Sequence, residues 1–382
     1  MQQQQINPAV QNMQARAIVT GNAVKLNQQI YSQSVNPATN PTLNIQPRNV
    51  GLILGFLVEV SGTLANTAAT GLTRTDLGSS NILKNITFTD LNNVTRINTT
   101  GSHLALLNSA RQGFGFGGAY APNLPMNYGQ NFNPFSGPAT IAVSASGNVK
   151  HTYWVPIAYS QNDLRGGIYA AIVNATMNLQ LTLNAVPAIG AIPANDPLGA
   201  IYSGNAAATW AGNIQVNVNQ VYLDQLPTSS GVPILPMLDL NTIYDIKYVT
   251  VNGLATGQDF PISYANYRQF LSTLLMFDNG GSFNAGTDVN YLALTAANST
   301  NLFKLNPNIA ALQARQTFMA DPPPGIYYFD HRDRPVDTIT FGNMQLVINP
   351  SLVNAGAQVV VGYEAFAQTS QLGGASSLAS QN

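Results

Sequence analysis

Cysteine is absent from this 382-residue sequence, so neither disulfides nor thiolate metal sites hold it together. Charge is scarce as well, at 8%, where an ordinary globular domain carries about 25%. Fifteen Lys and Arg meet sixteen Asp and Glu, a formal net charge of −1. A nucleic-acid binder needs a basic face to displace phosphate counterions, and this chain has no surplus from which to build one. Long apolar runs are missing too. The longest, Gly51 to Val58, has eight residues, and a bilayer span takes about twenty. The opening MQQQQINPAVQNMQARAIV lacks the basic start and apolar centre of a secretory signal. A product made in the cytoplasm is the expectation.

The chain is nonetheless 45% hydrophobic. Asn, Gln, Ser and Thr stand where charges would be. Amides cost much less to bury than unpaired ions, so such a surface suits a molecule covered by copies of itself. The dominant hydrophobic period is two. Met177, Leu179, Leu181 and Leu183 alternate with polar residues, as do Ile214, Val216 and Val218, the segment Val149 to Ile157, and Met344, Leu346 and Ile348. Gly51 to Val60 is apolar but for Glu59, which predicts a strand between two layers. With 32 Gly and 22 Pro as punctuation, the pattern reads as an all-β sandwich class.

Helical signals are few. Ile6, Val10, Met13 and Ala17 share one face of a short N-terminal helix. Asn306-Pro307 predicts a cap and first helical position, opening a helix to about Ala320. Tyr267 to Phe277 fits a buried helix and a strand equally. Residues 113–138 read as a long loop, Leu226 to Leu240 as the domain seam, and the last ten residues as a flexible tail.

A search for catalytic chemistry comes back empty. Gly113-Phe-Gly115-Phe-Gly-Gly118 matches a nucleotide-binding fingerprint by letter, but follows a helix-like stretch and precedes a Pro-broken loop. His331-Arg332-Asp333 spells a kinase triplet without the downstream Asn or the Gly-rich loop, so a structural ion pair is expected there. Asp278 to Asp288 is oxygen-rich but fails the EF-hand spacing, which leaves an Asx- and Gly-shaped turn. The pairs Asp333/Asp337 and Asp278/Asp288 could be nominated for glycoside hydrolysis, yet nothing selects them. His103, His151 and His331 form no spaced ligand set. No catalytic, cofactor or metal residue is therefore assigned. The N-terminal segment offers a contact instead: Ile6, Val10, Met13 and Ala17 as an apolar stripe, with Arg16 and Lys25 as the only charges in the first 47 residues. It could dock on protein, or lie on a membrane with its cations near headgroups.

The strings Tyr153-WVPIAYS, Pro197-LGAIYSGNAA, Tyr222-LDQLP, Phe277-DNGGSFNAGTDVNYL and Gly325-IYYFDHRDRP resemble the major capsid proteins of tectiviruses, tailless phages with an internal membrane. The likeness runs in order from about Met13 to about Phe366. It implies a double jelly roll, two tandem eight-stranded sandwiches. In these terms residues 1–21 are the amphipathic arm, 22–240 the first roll, 241–372 the second and 373–382 the tail. The resemblance further implies pseudo-hexagonal homotrimers tiling an icosahedral shell over a lipid vesicle. Vertex, penton and minor capsid proteins would be further partners, with the membrane reached through the arm, no direct nucleic-acid contact and no enzymatic residue. On the residues alone, a jelly-roll carbohydrate-binding or glycosidase-like spike stays open. It would need an aromatic groove with two carboxylates roughly 5–10 Å apart.

Overall fold

The computed structural model describes residues 7–67, 69–112, 137–171, 176–189, 198–204, 208–281, 283, 286–296, 300–318 and 322–368. Their architecture is mostly β, with two packed pairs of sheets in tandem and few helices. In the N-terminal half, one sheet sets Val24–Val35 against Ile214–Asp224, then Leu52–Ala65, then Ser146–Pro156, all antiparallel. The facing sheet orders Thr42–Ile45, Asn178–Leu183, Leu83–Thr89 and Thr95–Thr99. Alternation places their side chains as the sequence predicts: Leu179, Leu181 and Leu183 are buried while their neighbours are half-buried. Leu52 to Phe56 are buried without alternation, because this part of the strand is covered on both faces.

The C-terminal half repeats the plan. One sheet orders Thr242–Asn252, Gln358–Gln368, Gln269–Asp278 and Ile326–Asp330; the other orders Phe260–Ser263, Met344–Pro350, Val289–Ala296 and Thr300–Leu305. The ambiguous stretch at Tyr267 to Phe277 is thus a strand. Every residue of Gln269–Asp278 after the first is buried, so no period of two could mark it.

The two halves are fused at a sheet. Thr95–Thr99 and Thr242–Asn252 pair in parallel through Ile97↔Ile246 and Asn98↔Lys247, making one nine-stranded sheet across both. Helix Gly101–Gln112, whose residues 101–110 are all buried, sits at this junction. Leu104, Leu106 and Leu107 share one hydrophobic cluster with Val360 and Phe366 of the second half. A second cluster, including Phe277, Leu292, Leu294 and Val361, fills the second sandwich alone. Each large apolar side chain so buried contributes roughly 1.5–3 kcal/mol. Pro307–Phe318 is the predicted helix; Asn306 accepts from the Asn308 amide at 2.8 Å, as a cap should. Its buried face is Pro307, Ala310, Ala314 and Phe318.

Candidate assembly surfaces

The N-terminal helix, Pro8–Asn22, begins at an Asn7 cap with proline in its first turn. Of the predicted stripe, Ile6 lies outside the described residues, while Val10, Met13 and Ala17 all face outward, Met13 being 64% exposed. A different face docks the helix: Asn12 and Val19 are buried and Arg16 is half-buried. Asp239, on the short helix Met237–Leu240, takes Arg16 Nε and Nη2 at 2.6 Å each and Asn12 Nδ2 at 2.9 Å. Asn12 Oδ1 in turn accepts the Leu238 amide at 2.9 Å. Asp163 adds a weaker pull on Arg16 at 3.9 Å. The expectation that Arg16 points toward headgroups is therefore corrected: its side chain turns inward, because a buried carboxylate offers a better partner than water. Asp239→Ala leaves Arg16 and Asn12 without their acceptor and should weaken docking by roughly 1–3 kcal/mol. Hydrogen exchange across residues 8–22 should accelerate while strand 269–278 stays protected; unchanged exchange in the helix would contradict the clamp.

Lys25 lies beyond the helix, on strand Val24–Val35, at the edge of its sheet. This twelve-residue edge is exposed or half-buried everywhere except Val35, and it leaves Val24 and Leu26 open to solvent. Its solvent-side backbone has no strand partner among the described residues. Beside it the outer face carries an amide and hydroxyl ladder. Ser32 donates to Asn217 at 2.9 Å, Gln215 donates to Asn217 at 2.9 Å and to Ser32 at 3.2 Å, and Asn217 donates to Glu59 at 3.3 Å. Polar groups already bonded to one another can be covered with less loss of hydration than isolated ones.

The remaining chemical candidates are structural. Asp278 accepts the Gly281 amide at 2.7 Å, and Asn279 donates to Asp288 at 2.9 Å, so the oxygen-rich loop is bonded to itself. Arg332 grips Asp330, not Asp333, in a bidentate pair. His103 and His151 are fully buried, His103 against Thr99 and His151 against Ser79 at 3.2 Å. The fingerprint at 113–118 and the tail at 373–382 lie outside the described residues. Among the described residues, no three His, Asp or Glu side chains cluster to hold a metal, and no helix is long and apolar enough to cross a membrane.

One feature escaped the sequence altogether. Glu364, on a central strand of the fused sheet, is completely buried, and neither carboxylate oxygen meets hydrogen-bond geometry with a donor. Burial raises its pKa; the charges of Arg111 and Arg332 and the Ser272 hydroxyl offset this in part. It joins Arg111, Tyr159 and Tyr244 at the junction, where the Arg111 guanidinium lies 4.7 Å from one ring centroid and 5.3 Å from the other.

The comparisons agree with this architecture. The family model described as P3 major capsid protein N-terminal matches residues 2–226, and that described as P3 major capsid protein C-terminal matches 241–380. Major capsid protein P3 of Enterobacteria phage PRD1 is 40% identical over 385 aligned residues, covering 97% of each chain. Among solved structures, the STIV MCP superposes with a TM-score of 0.65 at 12% identity, over 91% of this chain and 97% of that one. Major capsid protein P2 of bacteriophage PM2 gives 0.51 at 10% identity, over 92% and 100%. The fold is the double jelly roll of viral coats, the family is structural and not enzymatic, and the place of such a protein is the virion shell. This chain belongs to the P3 family of tectivirus major capsid proteins.

Proposed function

We propose that the chain builds its shell as a homotrimer in which the outer face and free edge of the first roll are covered by a neighbouring copy. The observation that carries this is the edge strand Val24–Val35. Long open edges invite indiscriminate pairing, and soluble proteins blunt them with charge, proline or a cover. This edge has Lys25 as its single charge and no proline, and no strand of the described residues covers it, which supports a sister molecule as its cover. Obligate interfaces of this kind bury large, well-packed areas. Smaller contacts between trimers then let the lattice correct errors. The division into arm, two rolls and tail at 21/22, 240/241 and 372/373 belongs to the same reading.

Light scattering of purified protein should give a species near three times 40.6 kDa. Leu26→Lys should shift that species toward monomer without unfolding the rolls. A wild-type monomer at micromolar concentration would overturn the proposal. Membrane contact is the second part of the reading. It rests on the outward stripe of Val10 and Met13 beside exposed Met237 and Leu238. With Arg16 held by Asp239, this contact is apolar, and many weak copies in an array make it firm. Arrays should float with phospholipid vesicles, and Met13→Glu should leave them at the bottom of the gradient. Equal flotation by the variant would sink this part.

A further inference from the structure

We propose that Asn252-Gly253 is a site of spontaneous covalent modification, where the asparagine amide converts to aspartate and isoaspartate as the protein ages. Asn-Gly occurs twice in the chain, at 252–253 and at 279–280. Glycine favours the reaction because it has no Cβ to shield its nitrogen from the preceding side chain. The two pairs stand in opposite surroundings, so the fold decides between them.

Asn252 ends the strand Thr242–Asn252, and both it and Gly253 are exposed. Among the described residues, neither the Asn252 side chain nor the Gly253 amide makes a hydrogen bond. Gly253 has a φ of +73°, and beyond its chain neighbours no atom lies within 4 Å of where a Cβ would stand. The Asn252 side chain and the next nitrogen can therefore meet without breaking a side-chain bond or displacing a packed neighbour. Asn279 is the opposite case, 1% exposed and held three ways. Its Nδ2 donates to Asp288 at 2.9 Å and to the Leu352 carbonyl at 3.2 Å, and its Oδ1 accepts the Asn354 amide at 2.7 Å. Gly280 lies against the Ala355 carbonyl, which would be 2.7 Å from an added Cβ. Ring closure there would strip buried polar groups of their partners.

The chemistry needs only water. The Gly253 backbone nitrogen, giving its proton to hydroxide, attacks Asn252 Cγ. A C–N bond forms, the Cγ–Nδ2 bond breaks, and the departing nitrogen takes a proton from solvent and leaves as ammonia. Water then opens the cyclic imide at either carbonyl, which gives aspartate or isoaspartate. One water is consumed and one ammonia released, with no oxidation or reduction. The product is a carboxylate at neutral pH, so the formal net charge of −1 falls by one. Isoaspartate also adds a carbon to the backbone path just before Leu254, which is anchored in the core of the second sandwich.

The test stores the full-length protein, in its native oligomer, in mildly alkaline buffer. Isoelectric focusing follows the charge, and peptide mapping with isoaspartyl methyltransferase labelling locates the rearranged linkage. A more acidic band should grow in, with the label on the peptide that holds Asn252. Asn252 should convert at least about tenfold faster than Asn279, because a poorly placed nucleophile loses rate steeply. Asn252→Gln, at an exposed position, keeps an amide but disfavours ring closure, and it should suppress the acidic band. Equal conversion at the two sites would overturn the proposal, as would an Asn252 that stays intact or an acidic band undiminished in Asn252→Gln.

Discussion

Gly362→Ala should cost roughly 3 kcal/mol or more, near the upper end for an added methyl in a packed interior. Gly362 sits mid-strand in the fused sheet, opposite Tyr248 on one side and Leu274 on the other. A Cβ built there would lie 2.0 Å from His103 Nε2 and 2.3 Å from two ring carbons. The ring cannot simply swing away, because Thr99 holds Nδ1 and the helix that carries it is buried on every side. Either the sheet or the helix must shift, and both join the two rolls. Glycine here serves close approach rather than an unusual backbone angle. His103→Ala should relieve the clash, so Gly362→Ala/His103→Ala should recover about 2 kcal/mol of the loss, a coupling visible in a double-mutant cycle. Melting temperatures and soluble yield read it directly. A Gly362→Ala protein with the parental Tm, or a double variant no better than the single, would show that the junction is looser than its packing indicates.

That glycine illustrates what a sequence hides. In Val359-Val360-Val361-Gly362-Tyr363 nothing marks the residue as special; its partner lies 259 positions away. The alternating strands were legible because each has one face in a core and one half-exposed, as in Asn178–Leu183. Strand Gln269–Asp278 was not, since cover on both sides erases the period. The N-terminal helix could be predicted but not its docking face. Its apolar stripe is the outward one, and a polar clamp on Asp239, 223 residues from Arg16, sets the orientation. Hydrophobic periodicity assumes that a short helix docks by its apolar side; here the buried carboxylate outweighs that preference.

Acid should loosen the subunit well above the pH at which ordinary carboxylates protonate. His103 and His151 are fully buried, and burial pushes both pKa values down to about 3; His331 is pushed to about 4. An unfolded histidine titrates near 6.5. Below that pH the unfolded chain binds protons that the folded one refuses, so stability falls as pH falls, and the loss continues down to the folded pKa values. Each such histidine costs about 1.4 kcal/mol per pH unit in this window. By pH 5 the two buried ones together remove roughly 4 kcal/mol, a large share of a typical domain's stability. Glu364 works in the opposite sense, since a raised carboxylate pKa favours the folded state as pH drops. Comparison of variants separates the two. Among the described residues His151 bonds Ser79, and it packs against Tyr153 at 4.4 Å between ring centroids, so His151→Gln keeps a polar group at the site without a proton to gain. Its stability between pH 6.5 and 5 should fall less steeply than the parent's, by about one proton. Denaturant titrations at fixed protein concentration would measure this. Parallel slopes for parent and variant would mean that His151 is already charged in the fold, and that the acid response lies elsewhere.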